Sequence, residues 1–477
     1  MLQQRLAIVT FNFPPDFGAA SFRMLSLVES IQKQASTRKI DLKITVVCAK
    51  PFRYKYNNKN EPGSSSPKHN LIRGLENIDI VRLDVPMFGR GFVAESFSYL
   101  FFLIQALPVL IWNRPHLIFA TSAKLLTSYL GALASLITGA ILCVDIRDTF
   151  SENFLSFFRR QRKVLVYLIL LYIENFVANR ATSINLVSPG FSQLYDELLD
   201  SSKVSYFTNG VDEQFVEFYA NSQHPSLKTF LNKTFNHTTN NTLVVRKTLD
   251  NKINSATLLE IDTVKQTNHT DKPKTILYAG NLGIGQDLLK LLEPLIEEKE
   301  IVEELIELKW SIKIMGDGAQ APALRELAKF PHLREIITVL RPIPRQELIR
   351  EYGQVDALFL QVSSYRSLDM VIPSKIFEYA ATGLPILAGV RGYTRDFIGQ
   401  IPGVQFFTQK DIKSFLNQLK QIKTGWHNRD EFIEQYDRRN IMRKYADHLL
   451  SYMYPGVTNS QFTNAKETKA KNFTQTL

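Results

Sequence analysis

The chain has 477 residues, 45% hydrophobic and 22% charged, which is enough apolar matter for two domain cores and excludes a chain disordered throughout. Its two cysteines, Cys48 and Cys143, lie in apolar runs, so neither a disulfide framework nor a cysteine-based zinc site is expected. A formal net charge of +11 suits nucleic acid, anionic lipid and phosphorylated ligands alike and does not choose among them.

The N-terminal residues enter a strand pattern directly, with no basic segment, apolar core and small-residue cleavage site, so the expected location is cytoplasmic. Short β-rich runs then recur, each followed by a helical pattern: Leu6–Phe11, Ile44–Cys48, Leu117–Ala120, Ile141–Asp145, Thr182–Val187 and Lys203–Phe207. The rhythm restarts with Thr275–Ala279, Trp310–Met315, Ile336–Leu340, Ala357–Leu360 and Pro385–Ala388. Alternation of this kind predicts an α/β chain with two doubly wound, Rossmann-like domains, at 1–215 and 273–428. A helical stretch at 429–455 is expected to return to the first domain, leaving a polar tail at 456–477.

Between the two units, 216–272 reads as an insertion or linker. Residues 221–270 hold eight Asn, ten Thr and no Gly, a composition that follows neither the helical nor the strand period. Two uncharged stretches, Ser96–Trp112 and Leu125–Val144, approach the length of a membrane span. The second divides into a helix ending near Gly139 and a strand running into Asp145, as in a buried Rossmann unit. Phe154–Asn179 mixes aromatic and aliphatic residues with Arg159, Arg160, Arg162 and Lys163. Such a segment is either an anionic-membrane surface helix or an ordinary core-facing one.

Several loops stand where α/β sheets place ligands, at the carboxyl ends of strands. Pro14-Pro15-Asp16-Phe17-Gly18 follows the first strand and opens a helix containing Arg23. Gly280-Asn281-Leu282-Gly283-Ile284-Gly285 follows the first strand of the second unit; its glycine order differs from a dinucleotide fingerprint but suits a phosphate turn, or a tight structural one. Gly316-Asp317-Gly318 is a further turn. The most informative stretch is Pro373-Ser374-Lys375-Ile376-Phe377-Glu378-Tyr379 followed by Gly383-Leu384-Pro385. Pro373 and Ser374 mark a helix start, whose free N–H groups and positive dipole end favour a diphosphate, and Lys375 adds a full charge. Glu378, on the first turn, can accept two ribose hydroxyl bonds.

Taken together with Asn209-Gly210-Val211-Asp212 and Asp145-Ile146-Arg147-Asp148, these motifs resemble glycosyltransferase family 4, in the branch of bacterial O-antigen and capsule enzymes similar to N-acetyl-L-fucosamine transferases. The resemblance covers about residues 5–215 and 273–453. It implies a GT-B fold, with two Rossmann-like domains facing a cleft, and a hexosyl- or N-acetylhexosaminyl-transferase that retains anomeric configuration. No cofactor and no metal are expected, and no Asp-x-Asp occurs in the chain. The implied partners are a nucleotide diphosphate sugar and a lipid-linked or saccharide acceptor of polysaccharide biosynthesis, with an anionic membrane surface and without nucleic acid.

The expected roles follow. Lys375 and Glu378 are the catalytic candidates. Gly18, Gly280, Asn281, Gly283, Gly316, Gly318, Ile343, Pro373, Ser374, Lys375 and Glu378 hold the donor, with the amides of Asn281–Gly283 on the diphosphate. Asp16, Arg23, Arg147 and Asp148 meet the acceptor. Two departures matter: the family's Glu-x7-Glu pattern would put its first carboxylate at Met370, beside Asp369, and Asn281 and Gln286 stand where many members carry basic residues. Lys375, Arg366 or Arg341 are the available substitutes. Two alternative readings are a nucleotide-sugar epimerase of the same architecture and a non-catalytic, membrane-associated scaffold that has kept the fold.

Overall fold

A computed structural model describes residues 3–16, 18–51, 78–86, 92–122, 125–149, 151, 164–195, 199–222 and 273–454. The basic run at Arg159–Lys163, most of the Asn/Thr-rich tract and the tail 456–477 lie outside the described residues.

Two parallel sheets are present, as the alternating pattern predicts. The first is seven-stranded, in the order β3-β2-β1-β4-β5-β6-β7. Its strands are β1 Gln4–Val9, β2 Leu42–Ala49, β3 Ile78–Leu83, β4 Leu117–Thr121, β5 Ile141–Ile146, β6 Ser183–Leu186 and β7 Val204–Ser205. The second is six-stranded, in the order β10-β9-β8-β11-β12-β13. It is built from β8 Lys274–Asn281, β9 Trp310–Asp317, β10 Ile337–Leu340, β11 Ala357–Gln361, β12 Ile386–Gly389 and β13 Val404–Phe406. The central strands β4 and β11 are buried at every position, which is why they read as unbroken apolar runs.

Each sheet reverses its strand order once, at β1/β4 and at β8/β11. Crevices at such switch points are where open α/β sheets bind ligands. The loop 10–16 after β1 and the turn 281–287 after β8 are therefore placed by topology at the two binding edges.

Four helices matter for the first domain: α1 Ala19–Thr37, α2 Phe92–Asn113, α3 Leu125–Thr138 and α4 Val164–Arg180. The stretch Leu125–Val144 divides as expected, into α3 and β5. Helix α1 buries Met24, Leu27, Val28, Ile31 and Ala35, the spacing of a helix with one apolar face.

After β7 the chain passes to the second domain. Val211, Phe215 and Tyr219, around α5 Glu213–Ser222, join the core formed by Leu277, Leu358, Ile376 and Phe377. A return passage runs alongside: α6 Arg438–Met453 lays Met442, Tyr445, Ala446 and Leu449 against Leu6, Met24, Leu27 and Ile31 of the first domain. The two passages are tied by Val211 N to Tyr436 O, 2.6 Å, and Arg438 N to Val211 O, 2.9 Å. Gly210 makes this possible: at φ 72 it adopts a left-handed conformation, and a Cβ there would press on the Tyr436 carbonyl and Arg438 Cα.

Two strands escape the sequence reading. β3 (IDIVRL) carries Asp79 and Arg82 on the edge of its sheet, and β13 is a three-residue edge strand. Edge strands bury less, so their apolar signal is diluted. β7 is shorter than the run Lys203–Phe207 suggests, because Phe207 turns away to stack on Tyr445, with ring centroids 4.4 Å apart.

Candidate active site

The motif around Lys375 folds as its residues dictate. Pro373 precedes a short helix, Lys375–Ala380, with Ser374 at its N-cap position and no side-chain cap bond. Ile376, Phe377, Tyr379 and Ala380 anchor its inner side in the core, so Lys375 and Glu378 face the carboxyl edge of the sheet. The N–H groups of Ser374 and Lys375 have no hydrogen-bond acceptor among the described residues, as at any helix start.

Lys375 and Gly280 meet across the sheet. The Lys375 ammonium lies 4.1 Å from the centroid of the Tyr278 ring. It occupies the space where any other residue at 280 would carry its Cβ, and φ 148 at Gly280 independently favours glycine. Enclosure by this wall strips water from the ammonium and lowers its pKa from 10.5 to about 8, opposed only by the nearby Glu378 carboxylate. No hydrogen bond satisfies Nζ among the described residues. A desolvated cation at a strand end, beside two open helix amides, is a ready anion site.

The glycine turns pack closely on one another. Gly316 pairs with Gly280 in the β8–β9 ladder, where a Cβ would strike the Gly280 carbonyl. Gly318, at φ 155, lies under the Leu282 backbone. The expectation that the amides of Asn281–Gly283 face a diphosphate needs correction for two of them. Leu282 N donates to Asp317 O at 2.9 Å, and Gly283 N donates to the Gln286 side chain at 3.3 Å. The Asn281 side-chain amide also donates to Gln286, at 3.1 Å. Gln286 thus closes the turn on itself.

Glu378 is already engaged. Its Oε1 receives Arg345 Nη2 at 3.3 Å, and the same nitrogen lies 3.2 Å from Asp212 Oδ2. Arg438 Nη1 closes the chain on Asp212 at 2.6 Å. Arg345 begins the helix Arg345–Tyr352 directly after Ile343 and Pro344, with half-buried Ile343 packed on the second-domain core. Its guanidinium carbon stands 4.8 Å from the Phe22 ring of the first domain and 4.9 Å from Phe215 of α5. Arg345 and Arg438 are the site residues that sequence reasoning did not single out; Asp212 entered it only within the Asn209–Asp212 motif, with no role. Arg366 and Arg341, proposed as substitutes, are not part of this chain of charges.

Met370 contacts the first domain. Its carbonyl accepts a hydrogen bond from Ser188 Oγ of the first domain, and its side chain packs against that domain's core. Gly190 leaves room for the same carbonyl. Position 370 is therefore a domain contact. Neighbouring Asp369 pairs through Oδ2 with Arg391 at 3.0 Å, leaving Oδ1 buried without a partner.

On the first-domain wall, Arg23 is buried rather than presented. It grips Asp145 with two bonds, 3.0 and 2.8 Å, and donates to the carbonyls of Phe207 and Thr208, both at 2.6 Å. It shapes the crevice from behind and cannot reach an acceptor without leaving a buried carboxylate unpaired. Asp16 is 4% exposed and accepts from Asn12 at 3.1 Å. Gly18 caps α1, and a Cβ there would meet nothing within 4 Å, so glycine is not sterically demanded. Arg147 and exposed Asp148 stand at the end of β5. Burial and the neighbouring Arg23 lower the Arg147 pKa to about 10, and its Nη1 is buried without a partner. No cluster of three metal-binding side chains occurs among the described residues.

Residues 260–439 match the family Glycosyl transferases group 1. The chain matches none of the curated proteins. Among solved structures it is similar to HepE of Anabaena in complex with UDP and glucose: TM-score 0.56, 13% identity, covering 94% of this chain and 100% of that one. It is likewise similar to sucrose-phosphate synthase of Thermosynechococcus elongatus, with TM-score 0.56 and 12% identity over 94% of this chain and 95% of that one. A third is the lipopolysaccharide outer core galactosyltransferase WaaB, at TM-score 0.52 and 12% identity over 94% and 100%. At such identities the likeness speaks for the GT-B fold, and the family match for glycosyl transfer.

Proposed function

We propose that this GT-B glycosyltransferase takes its donor, a nucleotide diphosphate sugar, in the second domain and passes the sugar, with retained configuration and without a metal, to a lipid-linked or saccharide acceptor of cell-surface polysaccharide biosynthesis. The observation that carries this reading is the desolvated Lys375 ammonium seated over Tyr278 beside Gly280, next to the open amides of Ser374 and Lys375. When the bond from the anomeric carbon to the diphosphate breaks, charge develops on the leaving oxygens. A preorganised cation and helix amides stabilise that charge without reorganising. Glu378 holds the ribose hydroxyls through the oxygen that Arg345 leaves open. Retention, absence of a metal and the fucosamine-transferase-like branch rest on the resemblance to family 4. UDP and glucose in the similar HepE structure support the nucleotide donor.

The cleft wall formed by Arg147 and Asp148 is the acceptor side of this reading, and an anionic membrane surface at the cytoplasmic face is where a lipid-linked acceptor would be met. The deciding experiment presents a panel of nucleotide sugars with membrane-extracted acceptors, in chelator, and determines the anomeric configuration of the product. Donor turnover into an epimeric sugar without acceptor would replace transfer with epimerisation.

A further inference from the structure

Lys375 and Glu378 carry opposite charges three residues apart on one short helix, a spacing at which such side chains pair. Yet Lys375 makes no ion pair among the described residues. The Glu378 charge is felt there all the same: burial lowers the pKa of the ammonium, and the carboxylate opposes that shift. Each side chain is drawn to a different seat. The ammonium lies over Tyr278, in the space left open by Gly280 of β8. Glu378 turns to Arg345, whose Nη2 lies 3.3 Å from Glu378 Oε1 and 3.2 Å from Asp212 Oδ2.

Arg345 can hold Glu378 because its own place is fixed by other elements. Its guanidinium carbon stands 4.8 Å from the Phe22 ring of α1 and 4.9 Å from the Phe215 ring of α5, and a flat, delocalised cation suits such contacts. Asp212 is fixed in turn by Arg438, whose Nη1 approaches it at 2.6 Å. Arg438 also donates to the carbonyls of Asn209 and Gly210, at 2.9 and 3.1 Å. The side chains of Arg345, Asp212 and Glu378 are 16%, 20% and 27% exposed, so water screens these charges only in part.

We infer that Arg345 is a positioning residue for the donor site: it holds Glu378 off Lys375 and so keeps that ammonium unpaired for the diphosphate. The inference rests on the reading of Lys375 given above. A neighbouring carboxylate and an incoming diphosphate compete for one cation, and the competition sharpens where water is partly excluded. Without Arg345, Asp212 keeps Arg438, but Glu378 loses its only ion pair among the described residues. Asp212, which shared the lost nitrogen, then repels it. Lys375 is the cation left within reach on the same helix, and Glu378 closes on it.

The test titrates inorganic pyrophosphate, which carries the diphosphate charge and no ribose, into the purified full chain near neutral pH and reads its affinity by calorimetry. Arg345→Met should weaken binding about tenfold. Combining it with Glu378→Gln should return the affinity to within about threefold of Glu378→Gln alone, because no carboxylate is left to occupy Lys375. A merely structural role for Arg345 would leave the double variant no better than the single one. Arg345→Gln carries the same expectation and takes the place of Arg345→Met if that variant does not fold. Pyrophosphate binding that needs Lys375 but is unmoved by the Arg345 variants overturns the inference alone, as does a double variant that stays as weak as Arg345→Met. Lys375→Ala that binds pyrophosphate as wild type does overturns the diphosphate reading itself, and this inference with it.

Discussion

Arg345 and Glu378, from two different helices, share one short contact: Nη2 to Oε1 at 3.3 Å, with Arg345 at the same time lying 4.8 Å from the Phe22 ring of the opposite domain. The carboxylate proposed to hold the donor ribose is thereby linked, through Arg345, to the opposite domain. Glu378→Gln keeps the shape and removes the charge. Because a ribose contact exists in ground and transition states alike, the donor KM should rise by about tenfold while kcat changes by less than about threefold. Steady-state kinetics at saturating acceptor read this directly. A kcat loss with unchanged KM would move Glu378 into the chemical step.

Gly280→Ala tests the seat of Lys375. The added methyl must displace the ammonium and is strained at φ 148. Transfer should fall by about two orders of magnitude, and adding Lys375→Ala should cost little more, since both changes remove one interaction. Additive losses in the double variant would show that the two residues act separately.

The Lys375 pKa of about 8 gives a signed pH prediction. Protonated Lys375 is the form that attracts a diphosphate, and a bound dianion raises its pKa. Affinity for the nucleotide should therefore decline as pH rises through about 8, and binding near that pH should take up a proton. Calorimetry in buffers of differing ionisation enthalpy measures the uptake; pH-independent affinity with no uptake contradicts the lowered pKa.

Arg23 and Asp145, 1% and 0% exposed as side chains, form a buried pair. Removing one partner leaves the other charge buried, so Arg23→Ala should destabilise the fold by about 3–5 kcal/mol. Denaturant unfolding checks this. Near-native stability with lost transfer would instead return Arg23 to the acceptor-binding group.

Buried strands such as Leu117–Thr121 announce themselves because Leu117–Ala120 are all apolar, and edge strands such as Ile78–Leu83 do not. Lys375 and Glu378 are legible because a helix start, a cation and a carboxylate fall within six residues of Pro373. Arg345 is not legible: its partners Phe22, Asp212 with Phe215, and Glu378 come from three separate stretches, and no local pattern encodes their meeting. Nor does a glycine-rich turn reveal that Asp317 and Gln286 already consume its amides.

The central claim is that Lys375 receives the diphosphate of a nucleotide donor, and the most direct measurement is the affinity of wild type and Lys375→Ala for a nucleoside diphosphate, side by side, by titration calorimetry below pH 8. Loss of a charge-assisted contact from a desolvated site should weaken binding by about 10–100-fold, with transfer falling further, by about two to four orders of magnitude. Equal affinity and transfer within about threefold of wild type would contradict the account.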